Sequence, residues 1–166
     1  MGIEINYSDT DDQIVEVERN NIVIKERFII AYYRLPYIKI PSIMIRHLAM
    51  NVTQNLNLFP AKGRLSAYYI PHMILSHRNW DYNKHCQVEF SAYVHASQVN
   101  DPKNTNCLGT LDGIYLCPAH TFQGGHQIMD LRTGQLITTP KVVEIHITDI
   151  VINAVKKCWR RKYLIH

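Results

Sequence analysis

The apolar pattern of this chain changes period once, near Gln87, and that change limits the fold to helices followed by strands. Between Gln13 and Arg34, Val17, Ile24, Phe28, Ala31 and, just beyond, Leu35 recur at steps of seven, four, three and four, the spacing of one helix face. Pro36 ends that helix, because proline restricts its predecessor and cannot continue the hydrogen-bond ladder. Pro41 sits where a first-turn proline belongs, and after it Ile45, Leu48, Val52, Leu56 and Phe59 form a second apolar face that stops at Pro60. The expectation is two amphipathic helices, over 14–34 and 41–59, joined by a short Pro-rich turn.

From Gln87 the step is two: Val88, Phe90, Ala92, Val94 and Ala96 alternate with Glu89, Ser91, Tyr93 and His95, which predicts a half-buried strand. Asp101-Pro102-Lys103-Asn104 is a turn, Thr110–Leu116 a second strand, Gly124-Gly125 a tight turn and His126–Leu131 a third strand. Arg132-Thr133-Gly134 leads into Gln135–Thr139, and after Pro140 the stretch Lys141–Ile147 closes the set. Five short strands at this spacing predict a small antiparallel barrel. Thr148 is the expected cap of a tail helix, with Ile150, Val151, Ala154, Val155 and Cys158 on its apolar side and bases crowding its C-terminal end. Residues 61–84 fit neither period and read as a linker in which Tyr68, Tyr69, Trp80 and Tyr82 pin the segment to its neighbours.

With 46% hydrophobic and 19% charged residues, the 166-residue chain has the composition of a globular protein, one ordinary domain or two very small ones. No apolar run approaches the roughly 20 residues a membrane-spanning helix needs, and the acidic start, Met1–Asp12, is unlike a secretory signal. An intracellular place, cytoplasmic or nuclear, is expected, with reduced cysteines. Cys86, Cys107, Cys117 and Cys158 are widely separated with no CxxC, and His120 with His126 is the nearest approach to a ligand pair, so zinc is not expected. P-loop, Rossmann, nucleophile-elbow and HExxH signatures are absent.

The net charge of +4 hides a segregation. Residues 1–18 carry six acids and no base, whereas Lys156, Lys157, Arg160, Arg161 and Lys162 put five bases into seven positions. Such a tail is either solvated or bound to phosphate, and nucleic acid is the partner its sign favours.

Val17-Glu18-Arg19-Asn20-Asn21-Ile22-Val23-Ile24-Lys25-Glu26-Arg27, preceded by Gly2-Ile3-Glu4-Ile5-Asn6, resembles the end of a retroelement integrase core. The resemblance continues through Leu35-Pro36-Tyr37, Leu56–Gly63 and Trp80–Cys86. Further on it takes in Tyr93-Val94-His95-Ala96, Thr110–Leu116, Gln123-Gly124-Gly125-His126 and Met129–Thr138, in a fixed order. Together these are similar to copia-type retrotransposon integrases over Gly2 to about Val151. The resemblance implies the last two helices of a truncated RNase H-like core (1–60), a linker (61–86) and an SH3-like β-barrel (87–147); with the basic tail helix (148–166) expected from its own pattern, the fold class is α+β.

In that family three carboxylates hold two divalent metals, magnesium or manganese, which activate the nucleophile and the leaving oxygen of strand transfer. The position matching the third carboxylate is Glu18; the two aspartates would precede Met1, and Asp9, Asp11 and Asp12 fall where the family has a loop. The expectation is therefore a catalytically inactive chain with no cofactor of its own, in which Glu18 is a vestigial catalytic residue and a metal ligand only if the missing core is supplied. In the isolated chain a helix-dipole role, which needs no metal, is the favoured account of Glu18. Lys25, two turns along, meets a DNA phosphate in a complete integrase or else is solvated beside Glu26. Sequence-independent DNA binding is the expected residual activity, with Lys25, Arg78, Lys84, Arg132, Lys141, Lys156, Lys157, Arg160, Arg161 and Lys162 as contributors. Thr139-Pro140 stands where the family has a basic residue, and the tail from Lys156 to His166 has no counterpart in the resemblance. DNA, or polyprotein and integrase subunits, are the expected partners; no membrane and no small-molecule substrate is expected. The alternatives are a protein–protein interaction module and a degenerate open reading frame with no selected function.

Overall fold

The computed structural model of the chain describes residues 15–59, 69–77, 79–97, 109–119 and 124–161, apart from the side chains of Glu16, Lys84, His85 and Arg161. The acidic start, the Asp101-Pro102 turn and the end of the tail lie outside these residues. The element order is α1 (Val15–Tyr33), α2 (Ser42–Leu58), α3 (Pro71–Ser76), α4 (Tyr82–His85), β1 (Tyr93–Ser97), β2 (Thr110–Pro118), β3 (His126–Asp130), β4 (Leu136–Thr139), β5 (Val142–Ile145) and α5 (Asp149–Arg161). The chain is thus a mixed α+β fold whose strands form one antiparallel sheet in the order β4-β3-β2-β1-β5.

The prolines end the first two helices as expected, with Pro41 at the N-cap of α2 (φ −62°, ψ 152°), one place earlier than the first turn. Its carbonyl accepts the amides of Met44 (2.9 Å) and Ile45 (3.2 Å). The buried face of α2 is Met44, Leu48, Val52 and Leu58, whereas the expected Ile45 and Phe59 are 40% and 58% exposed. Residues three and four before Leu48 lie on the same side of a helix, so spacing alone does not separate Met44 from Ile45. The sheet and α5 lie on the Met44 side and decide it. On α1, Ile24, Phe28, Ala31 and the following Leu35 are half-buried, and Val17 is exposed.

Two hydrophobic clusters flank the sheet. Ile114, Leu116 and Met129 on one face pack with Tyr37, Ile40 and Met44 from the helical half and with Val151 and Val155 of α5. The opposite face gathers Val94, Ala96, Tyr115 and Ile128. β2 is therefore buried continuously from Gly113 to Cys117. A Cβ on Gly113 would come within 2.8 Å of Ile128 Cδ1 and 3.2 Å of the Met129 carbonyl oxygen, so only glycine lets β2 and β3 approach this closely.

The structure departs from the expected architecture in three respects. β1 begins at Tyr93 rather than Gln87, because Ser91 takes a left-handed φ of 73° and the Ala92 amide turns back to the Glu89 carbonyl (3.2 Å). The Tyr37 hydroxyl anchors that turn by donating to the Ser91 carbonyl (3.2 Å). Second, β4 and β5 do not pair among the described residues, so the sheet stays open at that seam. At the β4–β5 corner Pro140 offers no amide; the Lys141 carbonyl instead accepts the Ser97 amide (3.0 Å), which steers β5 onto β1. Third, the linker contains two short helices, α3 and α4. There the Tyr82 hydroxyl caps α2 by donating to the Leu58 carbonyl (2.9 Å), and Trp80 meets the His72 ring edge-on at 5.0 Å. Tyr69 is exposed, and Tyr68 lies outside the described residues.

In α5 the packed positions are Val151, Val155 and Cys158, while Ile150, expected with them, is 81% exposed. One residue is a 100° turn of the helix, and docking on the sheet sets that phase.

Candidate nucleic-acid interface

Burying Val151, Val155 and Cys158 turns the opposite side of α5 outward. There Asn153, Lys156, Lys157 and Arg160, spaced three, four and seven apart, line an open cleft of ≈310 Å³. The three bases are exposed, and none pairs with an acid among the described residues. Their place near the C-terminal end of the helix also complements the macrodipole.

The fold brings two more bases to this helix. Lys39, from the connection between α1 and α2, lies with Nζ 4.4 Å from the centre of the Trp159 ring, a cation–π contact. Trp159 is three residues from Lys156, so Lys39 extends the basic stripe sideways. Neither the helical spacing nor the charge count singles out Lys39; a tryptophan inside a basic run is the one signal that hints at it. Arg132 is exposed in the β3–β4 turn, which Asp130 builds by accepting the Arg132 amide (2.8 Å) and the Thr133 hydroxyl (2.7 Å). That turn rests on α5: the Cys158 thiol donates to the Leu131 carbonyl (3.3 Å), and a Cβ on Gly134 would lie 3.7 Å from Cys158 Cβ.

The other expected residues are not gathered here. Lys141 is exposed at the β4–β5 corner, at the end of β4 away from the Arg132 turn. Lys25 and Glu18 are exposed on α1. Arg78 and Lys162 lie outside the described residues, as do the side chains of Lys84 and Arg161. Among the described residues no three His, Cys, Asp or Glu side chains converge as a metal site. A polynucleotidyl transferase holds its metals with several oxygens, and Glu18 alone does not fit a magnesium or manganese ion.

Two other clusters carry titratable groups. Cys117 Sγ lies 3.5 Å from His47 Nδ1 and donates to Gln127 Oε1 at 3.2 Å. Burial raises the Cys117 thiol and, together with Arg46, lowers His47. Both shifts favour neutral thiol and neutral imidazole, the reverse of the ion pair a cysteine nucleophile requires. The second is Tyr93, His95 and Asp112 at the sheet surface, with His95 Nε2 at 2.9 Å from Asp112 Oδ1 and the Tyr93 hydroxyl donating to the same carboxylate at 3.1 Å. A broad groove of ≈1180 Å³ between the helices and the 86–93 segment carries Arg27 and Arg34 but also Glu89 and Glu144, and so has no dominant sign.

His47 makes stability depend on pH. Its folded pKa lies below the ordinary 6.5, so as pH falls the unfolded chain takes up this proton first. The stabilisation is complete above the ordinary value and is lost as pH falls below it. Urea midpoints measured from neutral to mildly acidic pH should fall more steeply for the parent than for His47→Gln; parallel curves would remove His47 from the explanation.

No protein-family model, curated protein or solved structure matches the chain. Among the described residues no helix is long and apolar enough to cross a membrane.

Proposed function

We propose that the chain is a piece of a copia-type integrase, catalytically inactive as it stands, whose activity is sequence-independent binding of the DNA backbone. In this reading α1 and α2 are the last helices of an RNase H-like core, and the open five-stranded sheet is its SH3-like module. The order of helices and antiparallel strands supports it. The observation that carries DNA binding is the unneutralised face of Lys156, Lys157 and Arg160 on a helix packed into the core, with Lys39 held beside it by Trp159. Bases fixed on a docked helix meet phosphates without first ordering a flexible tail, and phosphate contacts carry no base information.

Fluorescence anisotropy with two duplexes of unrelated sequence tests this directly. Equal affinity is expected, and a preference above about tenfold, the scale of a single specific base contact, would contradict it. Lys39→Gln should weaken both complexes alike and flatten the log–log salt dependence by about 0.9, the change for one phosphate contact. A variant with unaltered slope would leave Lys39 outside the interface.

A further inference from the structure

α1 is apolar on two opposite sides. Ile24, Phe28 and Ala31 face the body of the protein and are half-buried. On the far side Val15, Ile22, Ile29 and Tyr33 remain 67%, 56%, 52% and 81% exposed. Steps of seven, seven and four keep those four on one stripe along the whole helix. A helix apolar on both sides is normally covered on both, and monomers seldom leave such a stripe in water.

The charges beside the stripe identify what covers it. One flank carries Arg19 and Glu26, the other Glu18 and Lys25; all four are exposed, and none is ion-paired among the described residues. Each opposite-charge pair is seven residues apart, about 10 Å along the helix, too far to join within one helix, where partners sit three or four apart. An antiparallel copy centred on Ile22 removes that mismatch. It sets Val15 level with Ile29 of the second copy and Ile22 against Ile22. On one flank Arg19 then lies beside Glu26 of the second copy, on the other Glu18 beside its Lys25, and the two-fold axis repeats both contacts.

We propose that α1 is a self-complementary interface through which two copies of this chain pair antiparallel about a two-fold axis. It gives Glu18 and Lys25 a role at the interface that requires neither metal nor DNA. A single helix pair is a small interface, so the dimer is weak, with a dissociation constant on the order of 10 µM.

Sedimentation equilibrium of the nucleic-acid-free full chain at low salt tests the proposal over a concentration range that brackets that constant. The parent should shift from monomer to dimer. Ile22→Glu places two like charges on the axis and should leave monomer only, with an unchanged circular dichroism spectrum because the position faces solvent. Arg19→Glu should weaken the dimer about tenfold or more, and Arg19→Glu combined with Glu26→Arg should restore it. A parent that stays monomeric throughout overturns the proposal, as does an Ile22→Glu variant that still dimerises or a double exchange that fails to rescue. DNA binding through α5 is unaffected by any of these results.

Discussion

Met44→Ala should lower the unfolding free energy by about 2–5 kcal/mol, the range for truncating a fully buried methionine. Met44 has no exposed surface and sits where α2, the sheet and α5 meet, among Ile40, Ile114, Met129 and Val155. A loss of that size is a large part of the roughly 5–15 kcal/mol that holds an ordinary domain together. The cavity would open into all three elements, so helix and sheet should lose stability together. Urea unfolding followed by far-ultraviolet circular dichroism reports mainly the helices, and tryptophan fluorescence in a Trp80→Phe background reports Trp159 on α5. The two transitions should coincide in the parent and shift together in the variant. Separate transitions, with α5 unmoved by Met44→Ala, would show that the helical half and the sheet do not share this core.

Changing Lys156, Lys157, Arg160, Arg161 and Lys162 together to Gln should abolish most DNA binding. The five substitutions remove five positive charges and take the chain from +4 to −1. Losing three to five phosphate contacts flattens the log–log salt dependence by about 2.7–4.5. Gln has nearly the helix propensity of Lys and Arg, and Lys156, Lys157 and Arg160 face away from the core, so α5 should remain folded. Residual binding should come from Lys39 and Arg132, which the variant retains. An unchanged affinity and slope would move the DNA surface elsewhere on the molecule. Truncation after Val155 is a poorer test, because it also removes Cys158 and Trp159 from their contacts with Leu131 and Lys39.

The strongest local signals were legible in the sequence. Pro36, Pro41 and Pro60 bracket the two helices to within three residues, since proline acts on its own neighbours whatever the rest of the fold does. The alternation through Val94 and Ala96 correctly placed their side chains on the buried face of β1. Helix phase was less legible: Ile45 was expected where Met44 is buried, and Ile150 was expected beside the buried Val151 but faces solvent, because the neighbouring element, not the helix itself, sets the phase. The left-handed Ser91 and the open seam between β4 and β5 depend on backbone geometry that alternation does not encode. At the interface the basic run was plain, but Lys39 reaches it only through the packing of a distant turn against Trp159.

The central claim is that α5 presents an array of cations to the DNA backbone, and the salt dependence of duplex binding by the parent chain tests it most directly. With Lys156, Lys157, Arg160 and Lys39 engaged, a plot of log K against log salt should be linear with a slope of about −3.6, four contacts at about −0.9 each. It should steepen further if Arg132, Arg161 or Lys162 also touches phosphate. A slope near zero, or no binding to duplex DNA at low salt, would contradict the claim.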